Sequence, residues 1–257
     1  MTGPRPGWAG PFEAFGLLTV IPVPGRAATS ARGVLPWAPL VGLALGGVAA
    51  GIGVLGARTV SPLAGAVLAL AALALLTRGL HLDGLADTAA GLGPLRDRER
   101  ALAVMRQGDV GPFGVAAVVL VLLLQASCAA VLLGTDDGWL AVWLSVAVAR
   151  LAMTRTGLPG TRTAAGSRLG EAVAGTVRPL VLAAWTGVLA ALVVASSALD
   201  PVRSAGLLGA ALAGLLVSEL VLHRSRRRLG GVNGDVMGAI AEVTTAVTLL
   251  VGAAVVG

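Results

Sequence analysis

Apolar residues in this chain form long runs and do not alternate with polar residues as they would on a half-exposed β-strand. A run of about 20 apolar residues can cross the roughly 30 Å hydrocarbon core of a bilayer as an α-helix. The lack of a two-residue period also argues against a β-barrel. The pattern therefore predicts an all-α, polytopic membrane bundle of about seven transmembrane helices, at residues 35–57, 60–80, 110–133, 138–154, 178–199, 203–222 and 236–256.

The fourth run is short and contains Arg150, which predicts either an earlier start or a border with a cavity. Counts of six or eight helices are therefore alternatives. Residues 1–34 precede the bundle, 35–257, and we expect the two parts to form one membrane domain. The first part contains several apolar residues and then two prolines, a pattern that predicts an interfacial helix rather than a signal peptide. The apolar residues are Trp8, Phe12, Phe15, Leu17, Leu18 and Ile21.

Composition supports a membrane protein. Hydrophobic residues make up 56% of the chain and charged residues 12%, against about 25% charged in an ordinary soluble domain. The net charge of +6 raises the question of nucleic-acid binding. However, the basic residues flank the predicted helices and lack the stacking aromatics of a nucleic-acid site. Lipid headgroups or a phosphorylated substrate are the expected partners. Cys128 is the one cysteine, so it predicts packing rather than a disulfide or thiolate metal site.

All 19 basic residues are arginines, and their positions predict the topology. With seven helices, 17 of them fall in the N-terminal segment and three long loops on one side, which leaves Arg58 and Arg203 on the other. Positive charge accumulates on the cytoplasmic side of a membrane. We therefore expect the N-terminus and the polar loops to face the cytoplasm, in the cytoplasmic membrane of a bacterium or archaeon.

The sequence HLDGLADT, at residues 81–88, ends the second apolar run and carries two carboxylates. Asp83 and Asp87 are four residues apart, so a helix would place them on one face, where they would repel each other without a cation. Carboxylates of this kind suit Mg²⁺, which often combines one or two of them with substrate phosphates. The alternative is a solvated charge pair at a helix end. His81 is a candidate general base, ligand or partner of Asp83, or simply an interfacial histidine.

Two glycine-containing turns carry further acids at the predicted cytoplasmic side. Residues 106–112 (RQGDVGP) include Asp109, and residues 230–235 (GGVNGD) end in Asp235, with Glu242 on the same helix face. Either turn alone is equally compatible with a helix cap. Together with nearby arginines, however, the three acidic loops have the components of phosphate chemistry: carboxylates for metal ions and guanidinium groups for developing negative charge.

At these residues the chain resembles the cobalamin synthase family, adenosylcobinamide-GDP ribazoletransferases. The similar segments are FGLLTVIPVP at 15–24, HLDGLADTAAGLG at 81–93, RERALAVMRQGDVGPFG at 98–114 and GVNGDVMGA at 231–239. The resemblance implies a Mg²⁺-dependent membrane enzyme that joins adenosylcobinamide-GDP to α-ribazole or its 5′-phosphate and releases GMP. Its implied partners include a second copy of the chain or other late enzymes of the pathway.

From the residues and the resemblance together we expect three groups of site residues. The catalytic candidates are His81, Asp83, Asp87 and Asp109; the substrate-binding candidates are Arg78, Arg106, Asn233 and Gly234; the metal ligands are Asp83, Asp87 and Asp235. The chain departs from the family pattern at Ala90, where another aspartate is common. It also departs at Gln107, where the acid comes two positions later, and at Val20, which replaces an arginine.

Two other classes remain alternatives. Another membrane transferase with a diphosphate-activated substrate would share the metal chemistry, but the DG-x₂-AR-x₈-G-x₃-D-x₃-D array of CDP-alcohol phosphatidyltransferases is absent from this sequence. A transporter would place its acids near the middle of the membrane, often in broken helices. Acids grouped at one face favour an enzyme.

Overall fold

The computed structural model describes residues 9–24, 30–196 and 200–256. Within these ranges the chain is helical, and a single isolated parallel bridge joins Thr163 to Val232. The helices are α1 (Ala9–Leu18), α2 (Val34–Thr59), α3 (Pro62–Leu76), α4 (Leu80–Leu92), α5 (Arg98–Gln107), α6 (Pro112–Leu133), α7 (Trp139–Arg155), α8 (Arg168–Val173), α9 (Pro179–Ser196), α10 (Pro201–Leu229) and α11 (Gly234–Val256).

Side-chain caps explain where several of these helices begin. Ser61 accepts a hydrogen bond from the Ala64 amide and precedes Pro62, which needs no amide partner in the first turn. Asp97 caps α5 and Asp200 caps α10 through the same contact, three residues along. At the end of α5, Gly108 adopts φ 71°, a left-handed conformation that suits glycine and stops the helix.

The protein is a polytopic helical membrane protein, as predicted. Among the described residues, five helices (α2, α6, α9, α10 and α11) are long and apolar enough to cross a membrane. The predicted end of the helix at 60–80 is wrong, because α3 stops at Leu76 and α4 follows at an angle of 90° to it. This bent pair would make a sixth span. The fourth predicted helix corresponds to α7, whose 17 residues reach about 26 Å. The count of seven therefore stays a prediction.

Helix α7 lies at the centre of the bundle, where α2 and α11 pack against it. Glycines let α2 approach closely: a methyl group added at Gly42 would lie 3.0 Å from the Ala147 Cα, and one at Gly46 would lie 2.7 Å from the Trp143 carbonyl oxygen. Small residues allow membrane helices to gain close packing in this way. By contrast, α9 buries only Leu189 and Val193, so it lies at the periphery.

The N-terminal segment is helical at Ala9–Leu18, as expected, and it docks against the bundle. The buried carboxylate of Glu13 accepts a 2.7 Å hydrogen bond from the Gly33 amide at the start of α2. Farther on, the Val20 amide donates to the Leu76 carbonyl at the end of α3, at 2.7 Å. The segment thus covers one end of the bundle. Trp8 lies outside the described residues.

Three connections meet at this same end of the bundle. The Val232 amide donates to the Arg162 carbonyl, and the Ala164 amide donates to the Val232 carbonyl. The Arg228 guanidinium donates to the Arg96 carbonyl at 3.0 Å. At the opposite end, Arg203 forms an ion pair with Asp137. The polar loops that the sequence places on one side are therefore in direct contact with one another.

Candidate active site

The break between α3 and α4 brings the HLDGLADT sequence across the end of the bundle. Two successive residues cause the turn: Arg78, with φ 55°, and Gly79, with φ 67°. The left-handed region is ordinary for glycine but uncommon for arginine. The Arg78 guanidinium donates a 3.0 Å hydrogen bond to the Leu17 carbonyl of α1, which ties the turn to the N-terminal segment.

Two glycines allow the backbones of α4 and α11 to pack in direct contact. A methyl group added at Gly84 would lie 2.7 Å from the Asp235 carbonyl oxygen, and one at Gly238 would lie 3.1 Å from the His81 Cα. At Gly84 a Cβ would collide with backbone atoms, and at Gly238 a Cβ would require its neighbours to shift by a few tenths of an ångström, so glycine on both helices permits this close crossing. Gly84 follows Asp83 directly, so the crossing sets Asp83 beside the start of α11.

A cavity of about 310 Å³ opens at this crossing. Leu17 and Leu18 of α1 and Leu35 of α2 form part of its apolar wall. Much of the polar lining comes from α4, α5 and the start of α11, and it includes His81, Asp83, Arg106, Asn233, Gly234 and Asp235. Ser167, before α8, also lines the cavity. Six of the site residues expected from sequence therefore line one cavity, although they are up to 154 positions apart in the chain.

Three carboxylates lie close enough here to act on one another electrostatically. The Asp87 carboxylate experiences the negative charge of both Asp83 and Asp235, and Asp87 is 8% exposed, behind the cavity rather than in its lining. Asn233 orients Asp235: its Nδ2 donates to Asp235 Oδ2 at 2.8 Å. Among the described residues, none of the three carboxylates forms an ion pair.

The donor chemistry fits a divalent cation that the substrate helps to bind. In the described part of the chain, no group of three or more His, Cys, Asp or Glu side chains forms a metal site. Asp83 and Asp235 nevertheless line the cavity, and Mg²⁺ commonly takes one or two carboxylates and completes its coordination with phosphate and water oxygens. Ligation by Asp83, Asp87 and Asp235 stays a prediction.

His81 is buried inside the protein, with 1% of its surface exposed. Its Nδ1 lies 3.4 Å from a guanidinium nitrogen of Arg150 on α7. The Nε2 atom is buried and has no hydrogen-bond partner in the described ranges. The sequence shows Arg150 only as a charge within a short apolar run. Its contact with His81, 69 positions away, depends on the tertiary structure.

The remaining expected residues lie outside this cavity. Asp109 is exposed in the turn before α6 and is not part of the lining. Arg78 instead lines a second, open groove of about 770 Å³ between α4 and α6. Asp83 borders both the groove and the cavity. Ala90 is buried in α4 and lines neither, so the aspartate missing there does not deplete the cavity lining.

Acidic residues within the apolar helices have partners of their own. Glu242 does not reach the cavity; its Oε2 accepts a 2.9 Å hydrogen bond from the Gln125 side chain of α6. Glu219 of α10 forms a 2.9 Å ion pair with Arg155 at the end of α7. The Glu219 pair is partly exposed and lies away from the cavity.

Fold and site together define a class: a multi-pass α-helical membrane enzyme with a carboxylate- and arginine-bearing pocket at one end of its bundle. Comparison with known families identifies it further. The model of the family described as cobalamin-5-phosphate synthase matches residues 10–253, and the chain belongs to this family.

Curated relatives agree with this assignment. A protein of Nocardioides sp. is 42% identical over 245 residues, which cover 94% of this chain and 96% of the relative. One from Frankia casuarinae is 38% identical, with 93% and 92% covered, and one from Chlorobaculum tepidum is 34% identical, with 95% of each covered. All three are named adenosylcobinamide-GDP ribazoletransferase. No solved structure matches the chain.

Proposed function

We propose that the protein is an adenosylcobinamide-GDP ribazoletransferase, which joins adenosylcobinamide-GDP to α-ribazole or its 5′-phosphate. The products are adenosylcobalamin or its 5′-phosphate and GMP. One observation carries the proposal beyond the names of the relatives. The two segments most like the family, HLDGLADT on α4 and GVNGDVMGA at the start of α11, meet at one polar cavity. Carboxylates that can hold a metal ion, together with a guanidinium, suit a diphosphate-activated substrate.

In the proposed reaction, a hydroxyl oxygen of α-ribazole attacks the phosphorus that carries cobinamide. A new P–O bond forms, the P–O bond to the bridging oxygen breaks, and GMP leaves with the electron pair. The hydroxyl proton is released to water. Arg106 and the Asn233–Gly234 turn bind phosphate oxygens, and the N-terminal amides of α11 favour negative charge at the same point. Such a reaction depends mainly on positioning and charge stabilisation.

We further propose that Asp83 and Asp235 hold Mg²⁺ with the substrate, with Asp87 behind them. The ion would neutralise the diphosphate and the charge that develops on the leaving GMP. Two features support this: the oxygen-only donor set and the mutual repulsion of three carboxylates without ion pairs in the described ranges. Removal of the metal by chelation should abolish turnover, and Mg²⁺ or Mn²⁺ should restore it.

The arginine distribution supports an orientation with the cavity on the cytoplasmic side of the cell's inner membrane. The loops that carry most of the 19 arginines converge at the cavity end of the bundle. Positive charge favours the cytoplasmic side, where charged nucleotide-linked substrates are made. Labelling of single cysteines placed at the exposed residues 165 and 136, at opposite ends of the bundle, in a protein that carries Cys128→Ala, would test this orientation.

The decisive experiment uses purified protein in nanodiscs with adenosylcobinamide-GDP, Mg²⁺ and either acceptor, with cobalamin and GMP followed together by mass spectrometry. Equal, metal-dependent formation of both products is expected. Asp83→Asn and Asp235→Asn should each lower turnover by about 100-fold or more, in line with the loss of a group that stabilises transition-state charge. Asp136→Asn is the matched control, because this exposed residue lies at the opposite end. Folded protein that makes neither product would refute the proposed function.

A further inference from the structure

The His81 imidazole lies between a guanidinium and the polar cavity. Its Nδ1 is 3.4 Å from Nη2 of Arg150, and His81 contributes to the cavity lining. Both side chains are almost completely buried, with 1% of His81 and 3% of Arg150 exposed. His81 Nε2 has no hydrogen-bond partner within the described part of the protein. The ring is therefore contacted on one nitrogen and unpaired on the other.

The chemistry of arginine determines which nitrogen carries the proton. A guanidinium has five N–H donors and no acceptor, and it stays protonated in proteins. The nitrogen that faces it must therefore offer a lone pair. A neutral imidazole has one donor and one acceptor nitrogen, so a lone pair on Nδ1 leaves the hydrogen on Nε2.

Residues from two other helices surround the Arg150 guanidinium. Glu242 of α11 attracts the Arg150 charge, and both residues line a small interior cavity of about 20 Å³. The Gln125 side chain of α6 donates to the Glu242 carboxylate at 2.9 Å and to its backbone carbonyl at 3.1 Å. A buried charge is costly unless an opposite charge and hydrogen bonds compensate it. This arrangement maintains a cation beside His81.

We propose that Arg150 is a positioning residue that fixes His81 as the Nε2–H tautomer, and that His81 donates a hydrogen bond from Nε2 to a phosphoryl oxygen of the substrate. This inference rests on the proposed function, because the bound diphosphate supplies the acceptor. It assigns His81 a role different from those of general base and metal ligand that its sequence position suggests. A protonated Nε2 has no lone pair with which to take a proton or bind a metal.

The tautomer can be measured without substrate. The chain has two histidines, so His223→Ala leaves His81 as the only imidazole, and His223 is exposed on α10. ¹⁵N spectra of histidine-labelled protein in nanodiscs should show a protonated Nε2 and an unprotonated Nδ1. Arg150→Lys, which keeps a donor, should preserve this pattern, whereas Arg150→Met should lose it. A proton on Nδ1 in the His223→Ala protein would overturn the proposal.

Substitutions of His81 distinguish a role as hydrogen-bond donor from a role as general base. A glutamine amide can donate from about the position of Nε2 but cannot act as a base, and phenylalanine keeps the ring volume without a donor. We expect His81→Phe to lower kcat/KM by about 100-fold, as for the loss of one oxyanion donor. We expect kcat/KM of His81→Gln to stay within about 10-fold of the wild type, because the glutamine amide can still donate a hydrogen bond. An equal loss in both variants, with thermal unfolding unchanged, would overturn the donor role.

GDP with Mg²⁺ supplies the same diphosphate group as a non-reacting probe. Its binding should shift the Nε2 resonance of His81, and an unchanged resonance at saturating GDP would refute the hydrogen bond to phosphate. If the wild-type protein makes no cobalamin, the proposed function fails. In that case the tautomer and GDP measurements, which need no turnover, still decide the roles of Arg150 and His81.

Discussion

Replacement of Gly84 by alanine should damage catalysis far more than folding. The added methyl group would lie 2.7 Å from the Asp235 carbonyl oxygen and 3.0 Å from the Asp235 Cα. Both atoms belong to the backbone, so no side-chain rotation can relieve the contact. Ordinary van der Waals contact begins at 3.4 Å, so α4 and α11 must separate by about 0.7 Å. Overpacking of this kind costs about 1–3 kcal/mol of stability.

The same shift separates Asp83 from Asp235 across the cavity. A misplacement of about 1 Å in a catalytic group can cost about 100-fold in rate, so we expect a 10- to 100-fold fall in kcat on that scale. Turnover by mass spectrometry and thermal unfolding in nanodiscs should be measured on the same preparations. Gly187→Ala is the control, because a methyl group there contacts nothing within 4 Å. Wild-type kcat in Gly84→Ala would refute the tight crossing as the basis of the site.

Other contacts give predictions of different size, each measured by thermal unfolding in nanodiscs together with turnover. Glu13→Ala removes the carboxylate that accepts a hydrogen bond from the Gly33 amide. The free energy of unfolding should fall by about 1.5–3 kcal/mol, the range for a hydrogen bond to a charged group. A fall of less than about 0.5 kcal/mol would contradict the importance of this contact. Glu219→Gln breaks the partly exposed pair with Arg155, so stability should fall by less than about 1 kcal/mol and turnover should not change. Gly79→Ala places a Cβ at φ 67° and should cost about 1–2 kcal/mol; an unchanged melting temperature would show that the turn adopts another conformation.

The transmembrane helices were predictable because a bilayer demands long apolar runs, and the observed helices begin and end within a few residues of most predictions. The turn at Arg78 was not, because Thr77, Arg78 and Gly79 interrupt the apolar run without a proline to mark a break in the helix. A left-handed arginine has no signature in sequence. What holds it is a hydrogen bond to Leu17, which lies 61 positions away.

The site was predictable where its residues belong to distinctive sequence motifs. Asp83 and Asp235 were expected to act together, and the structure brings both to one cavity. Asp109 belongs to a similar glycine-rich turn, yet the bundle leaves it exposed, because a turn motif alone does not specify which way it faces. The contact between His81 and Arg150 could not be foreseen, since it depends on how α4 and α7 each pack against α11.

The crossing of α4 with α11 also has a consequence for biogenesis. Asp83 and Gly84 are synthesised early, whereas Asp235 and Gly238 belong to the final helix of the chain. No nascent chain can hold a complete pocket until that last segment has left the ribosome and entered the bilayer. If this pocket is the active site, as proposed, we expect any product truncated before Gly234 to be inactive whatever the stability of its remaining helices.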